Sequence, residues 1–455
     1  MGKASTQFLS FILLPLYTSY LTTEQYGIAD LIATYVVFFS PILCFQIESA
    51  SFRFLVSKRD NEKESNEIIK SIVSFAIKII CLISFVLFII ECIFKFKYLK
   101  LIIIYFMFYT IYSLFQQIAR GKGLNIDYAI SSCMYGVLTL ISNLILIIIF
   151  KMGVYGLIIS YIISSFTSMI YLGYRIKIVH ILVETDNKSN KKKIIKNSLN
   201  YSIPLIPGSL SWWVLNLSDR TILTYFISAS ANGIYSISNK FSSIFIGAFN
   251  VVNLAWIESV SLHIDTKDDF LNELYNLIIK IFLMISILMI SVIPILYPYF
   301  IGNNFFESYK YVPILMLASL FNVEFGLTQS IYVGLKKTKN IAKTSIMCAL
   351  LNIILDLILI KKLNIYAAAI STLISYFCLF IYQYFDVKKY VKIKLDVKNN
   401  LYLIILFIIG CSIYYTNKIY ISIGFTLFSG SILFVINKAN IIKLKNYIIK
   451  SKNAN

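Results

Sequence analysis

Apolar segments of bilayer-crossing length follow one another along this chain from end to end, and that pattern leaves few folds open. A hydrocarbon core ~30 Å thick needs about 20 apolar residues wound as a helix. Such runs are read at 6–22, 28–52, 68–93, 99–119, 128–150, 154–174, 200–225, 233–256, 271–300, 309–333, 341–360, 364–385, 400–416 and 419–436. Hydrophobic residues make up 58% of the 455 and charged ones only 14%. The longest polar stretch, 175–196, is too short to bury a core of its own. The expected fold class is therefore an all-α polytopic membrane protein with about 14 transmembrane helices.

Sidedness follows from lysine and arginine. With the N-terminus inside, 29 of them fall in cytoplasmic segments and 8 in outer loops. The positive-inside rule then places both termini and the 175–196 stretch in the cytoplasm. The net charge of +20 is accounted for by this topology and by anionic lipid, with no nucleic acid implied.

The chain also repeats itself. Residues 47–51, IESAS, return as IESVS at 257–261, and 142–147, SNLILI, return as LDLILI at 355–360. QQIARG at 116–121 returns as QSIYVG at 329–334. The offset stays near 210–213, so spans 1–6 and 7–12 read as two copies of one six-helix unit. An even number of crossings gives both copies the same orientation, related by an axis along the membrane normal. The expected organisation is an N-terminal six-helix lobe (1–175), a basic cytoplasmic linker (176–199), a C-terminal six-helix lobe (200–386), then two extra helices with a basic tail (387–455).

Catalytic and metal-binding signatures are missing from the sequence. GKG at 121–123 lacks the spacing and the hydroxyl residue of a P-loop. There is no HExxH and no G-x-S-x-G. The seven cysteines lie mostly inside apolar runs, and the two histidines, His180 and His263, sit apart at span edges. Neither a disulfide framework nor a metal cluster is expected. A polymerase or glycosyltransferase acting at the outer face would want a large outer loop, and every outer loop here is short. No enzyme and no cofactor are expected.

What stands out is charge inside the spans. An ionisable group at a helix centre costs on the order of 2.5–3.5 kcal/mol, so it normally faces a bundle interior or a wet cavity. Asp30, Glu91 and Lys280 lie within two turns of a span end and are read as snorkelling. Glu48 and Glu258 occupy matching repeat positions and are candidates for binding a coupling proton or sodium ion. Asp356 takes the place of Asn143 and reads as a structural polar contact. Ser209, Trp213, Asn216 and Arg220 share one helical face, as do Ser236, Lys240, Ser243, Gly247, Asn250 and Asn253. With Arg53, Arg220 and Lys240, these stripes predict a net cationic cavity between the lobes, suited to phosphate or pyrophosphate. Asp219 is expected to orient Arg220, and the amide, hydroxyl and indole groups suit sugar.

Several of these stretches resemble a known family. PLYTSYLTTEQYGIADL at 15–31, ESASFRF at 48–54, YSIPLIPGSLSWWVLNLSDRTIL at 201–223 and NGIYSISNKF at 232–241 are similar to the Wzx-type polysaccharide repeat-unit flippases of the multidrug/oligosaccharidyl-lipid/polysaccharide exporter superfamily. The resemblance implies a carrier that moves undecaprenyl-diphosphate-linked oligosaccharide units across the bacterial inner membrane, for O-antigen (lipopolysaccharide) or capsule. It implies alternating access driven by an ion gradient, and contact with membrane lipids, a polysaccharide polymerase and a chain-length regulator. A multidrug antiporter of the same superfamily is the alternative, and it would want an anionic or aromatic cavity for organic cations.

Overall fold

The computed structural model describes the backbone of residues 11–184, 188–263, 269–335 and 337–452, and their side chains except at 184, 188–190, 208, 211–216, 338 and 436–452. Among the described residues there are seventeen α-helices and no strand. In chain order they are α1 (Leu14–Tyr20), α2 (Thr23–Leu43), α3 (Ile47–Val56), α4 (Glu62–Phe94), α5 (Leu99–Gly121), α6 (Asn125–Asn143), α7 (Gly153–Ile176), α8 (Ile178–Glu184) and α9 (Lys188–Ser202). Then follow α10 (Ile206–Phe226), α11 (Ala229–His263), α12 (Phe270–Phe300), α13 (Val312–Gly334), α14 (Thr338–Leu363), α15 (Ile365–Val387), α16 (Val397–Tyr414) and α17 (Ile419–Lys452). Ten helical segments among the described residues are long and apolar enough to cross a membrane. The other four expected spans fall on helices that do not meet both conditions there.

The second expected span divides where sequence reading ran it through. α2 starts with a capping box, Thr22 accepting from the Gln25 amide while the Gln25 side chain accepts from the Thr22 amide. It ends after Pro41, and Phe45 and Gln46 take left-handed backbone at φ 55° and 51° before α3 resumes. Proline removes a helix hydrogen bond and crowds the preceding turn, which accounts for a break here. The corresponding α11 carries no proline and runs unbroken for 35 residues.

Packing in the first half is repeated in the second. α7 lies against α5 and α6, as α15 lies against α13 and α14. On α7 the contact stripe is Ser160, Ser164 and Ser168, and on α15 it is Ala367, Ser371 and Ser375, all buried and four residues apart. Small residues at this spacing let helix backbones approach where lipid supplies no hydrophobic drive. At one bundle end Asp127 pairs with Arg175 at 2.6 Å. The equivalent positions in the second half are Asn340 and Asp386, joined at 3.3 Å.

Of two charges read as snorkelling, one is buried instead and the other keeps its stem in the bundle beside an open cavity. Glu91 is only 7% exposed, with the Lys100 ammonium 3.9 Å away. Lys280 is half-buried in a cavity wall.

Candidate functional site

The halves meet where α2 crosses α11. The crossing is close because both helices carry glycine there. A Cβ on Gly27 would collide with the Ala229 carbonyl oxygen, and one on Gly233 with that of Thr23. Polar side chains then stitch the backbones together. Asn232 donates to the Gly27 carbonyl at 2.8 Å, and the Thr23 and Ser230 hydroxyls lie 2.6 Å apart. Nearby, Tyr35 and Thr221 share a hydrogen bond of 3.0 Å between α2 and α10.

One turn along α2 from Gly27 sits Asp30, and it holds the charged centre of the interface. Its carboxylate pairs with Arg220 of α10 and accepts from Ser236 of α11 at 2.7 Å. Arg220 Nη1 also donates to Thr34 at 2.8 Å, while its Nε is buried without an acceptor. Lys240 lies one turn beyond Ser236, within electrostatic range of both Asp30 and Arg220. It makes no ion pair and no hydrogen bond with any described residue. Asp30 cancels one of two cations, so the centre keeps one excess positive charge, an unsatisfied donor at Arg220 Nε, and the half-buried Lys240 ammonium with no counter-charge among the described residues. Charge in such low-dielectric surroundings acts far more strongly than in water.

Two expectations are corrected here. Asp30 is the counter-ion of Arg220 and not a snorkelling end residue. Asp219 does not orient Arg220. Adjacent helical residues point about 100° apart, and Asp219 faces into the second half, where its Oδ2 accepts from Tyr235 at 2.5 Å and Thr372 at 2.7 Å. There it meets Asp356, which is 0% exposed and accepts from Ser371 at 2.5 Å. The two carboxyls are close enough to interact electrostatically. Asp219 Oδ1 and Asp356 Oδ2 are buried with no partner. Asn352, hydrogen-bonded to Ser218 at 2.8 Å, adds an amide beside them. Two facing acids with orphan oxygens need a shared proton or a small hard cation between them. Asp356 makes the polar contact its sequence position implied, and adds a second buried acid beside Asp219.

The remaining expected site residues are scattered. Arg53 is exposed in the last turn of α3, and Asn250 and Glu258 are exposed on α11. Glu48 is half-buried and accepts from Ser113 at 2.6 Å. Ser209 of the first polar stripe receives the Gln46 amide across the halves. Trp213 and Asn216 lie outside the residues whose side chains are described. No group of three His, Cys, Asp or Glu side chains suited to a metal occurs among the described residues.

A family model described as polysaccharide biosynthesis protein matches residues 1–257. No curated protein matches the chain in sequence. Among solved structures, one titled lipid II flippase MurJ in an inward closed conformation is similar at TM-score 0.74 and 18% identity, covering 97% of this chain and 98% of its own. An inward-facing multidrug resistance MATE family transporter of the MOP superfamily is similar at 0.67 and 13% identity, covering 84% and 95%. An outward-facing MATE family transporter gives 0.57 at 13% identity, covering 86% and 94%.

Proposed function

The chain belongs to the polysaccharide biosynthesis protein family, and from that premise we propose that it is a flippase for undecaprenyl-diphosphate-linked oligosaccharide repeat units, serving O-antigen or capsular polysaccharide in the bacterial inner membrane. The observation that carries this reading is Lys240: a half-buried cation inside the bundle with no ion pair or hydrogen bond to any described residue, beside the unsatisfied Arg220 Nε. A cation within an apolar bundle is costly to keep where no counter-charge meets it. A diphosphate entering between the halves compensates it, and Arg220 adds a planar guanidinium that grips phosphate oxygens. The excess charge favours an anionic substrate over the organic cations of a multidrug antiporter.

In this reading the α2–α11 crossing is the outer gate and the 1–175 and 200–386 units are the moving lobes. Asp30–Arg220 is the latch of that gate, and a diphosphate competes with Asp30 for the guanidinium. The likeness is stronger to an inward-facing than to an outward-facing relative, which supports a structure closed at that gate.

Coupling is assigned to Asp219 and Asp356, which take up a proton or a sodium ion and hold α10 to α14. Both are buried, at 3% and 0% exposure, so an organic cation has no access. Their carboxyls fit a small ion better than exposed Glu258 does. Arg53 at the inner end is the first contact for the headgroup, and the polymerase and the chain-length regulator are downstream partners.

The test is reconstitution of the purified chain in liposomes with a fluorescent undecaprenyl-diphosphate oligosaccharide in one leaflet. Translocation that Lys240→Ala abolishes supports the reading. Movement of an organic cation but no lipid-linked sugar refutes it.

A further inference from the structure

Two cavities join at the bundle end where α12 begins. One, of about 240 Å³, is walled almost wholly by carbon from α12, α13, α15 and α16, with Phe282, Leu320, Phe321, Phe380 and Phe407 among its lining. The other, of about 690 Å³, opens over the first turns of α12 and is bordered by Glu273, Asn276, Lys280 and Lys394. Leu395, Asp396 and Asn400 belong to both walls. The two form one slot with a polar mouth and an apolar floor.

The lip of this slot is held in place. Asn272 and Asn276, one turn apart on α12, take the connector between α15 and α16 by its backbone. The Lys394 amide donates to Asn272 at 2.8 Å, Asn276 donates to the Lys394 carbonyl at 2.9 Å, and the Asp396 amide donates to Asn276 at 2.9 Å. In the wall of the apolar cavity, Glu324 accepts from Tyr275 at 3.0 Å. The buried Asn400 lies beside it in the same wall.

A water-soluble ligand has no use for the apolar floor, and a pure hydrocarbon has none for a mouth carrying both signs of charge. We propose that the slot binds a membrane aminophospholipid, phosphatidylethanolamine. Its phosphate meets Lys280 and Lys394, its ammonium meets Glu273, and one acyl chain lies along the Phe282–Phe407 floor. At the mouth two carboxylates, Glu273 and Asp396, balance two ammonium groups, Lys280 and Lys394, so a zwitterionic headgroup leaves no net charge there whereas phosphatidylglycerol leaves one. A carboxylate accepts hydrogen bonds from a primary ammonium, whereas the quaternary ammonium of phosphatidylcholine donates none. Bound there, the lipid ties α16 to α12, α13 and α15.

Native mass spectrometry of the purified full-length chain tests this with phosphatidylethanolamine, phosphatidylglycerol and phosphatidylcholine of identical acyl chains. The phosphatidylethanolamine adduct is expected at the highest occupancy. Lys394→Ala, an exposed change, and Lys280→Ala should each weaken it by about tenfold, as loss of one charge-assisted contact implies. Leu320→Trp, filling the floor, should weaken all three adducts. Thermal melting shows that each variant is folded, and Lys394→Ala keeps the test alive where another is not. Equal occupancy by the three lipids, unchanged binding in Lys394→Ala, or a co-purified polyprenyl lipid in place of the phospholipid overturns the proposal.

Discussion

Gly27 and Gly233 face each other where α2 crosses α11, and a Cβ on Gly27 would stand 2.8 Å from the Gly233 nitrogen. Each is followed by isoleucine, and each would collide with the backbone four residues before the other. This two-way relation marks the pseudo-twofold contact between the halves. It also fixes where Asp30 and Ser236, each three residues on, come together.

Valine at either glycine should force the helices apart, lowering the melting temperature and abolishing polysaccharide export in a flippase-null strain. Gly424→Ala and Gly430→Ala, whose added Cβ atoms meet nothing within 4 Å, serve as controls. Normal export from Gly233→Val would remove the crossing from the mechanism.

The Asp30–Arg220 pair is largely shielded, with side-chain exposures of 10% and 15%. Removing one partner of such a pair costs about 3–5 kcal/mol, because the other charge is left alone. Asp30→Asn should therefore destabilise strongly, and Asp30→Asn with Arg220→Gln should recover much of the loss. A double-mutant cycle on thermal melting measures the coupling. Additive single effects would show that the two groups do not act as a pair.

For Asp219 and Asp356 the expected phenotype is loss of coupling. Asp219→Asn or Asp356→Asn should leave a folded chain whose transport no longer responds to a sodium or proton gradient. Glu258→Gln, at an exposed position, should keep that response. Glu48→Gln separates a role in coupling from the hydrogen bond to Ser113. Full gradient dependence in both Asp variants would return the ion site to Glu48 and Glu258.

Sidedness is checked by labelling single cysteines in a cysteine-free background, since Cys81, Cys92, Cys133 and Cys378 are exposed. A cysteine near Lys191 should react only with reagents that reach the cytoplasm. Reaction from the outer side would invert the scheme.

Helix positions were legible because a 20-residue apolar run has one physical solution in a bilayer. Fourteen runs were read, and each coincides with a helix in whole or in part. The interruption of the second run was missed, although Pro41 was the signal for it. Pairings between charges were the illegible part. Asp30 and Arg220 lie 190 residues apart, and Asp219 and Asp356 sit on α10 and α14. Sequence proximity pointed from Arg220 to Asp219, which is the neighbour that helical geometry turns away. An acid in an apolar run three residues after a glycine was the sign available for Asp30.

Lys240 offers a test in which stability and function move in opposite directions. Its half-buried ammonium makes no ion pair with any described residue, so a charge within the bundle goes without a counter-charge. Lys240→Met keeps most of the apolar stem and deletes the charge. Melting should rise modestly, because a charge within the bundle with no counter-charge is removed. Transport should fall, because the diphosphate loses its point charge between the halves. Lys240→Arg keeps the charge and should retain part of the activity. A residue serving only as a structural contact behaves otherwise: its loss lowers melting and transport together. If Lys240→Met melts lower than the parent chain, or exports polysaccharide at the parent level, the lysine is not held in reserve for an anion.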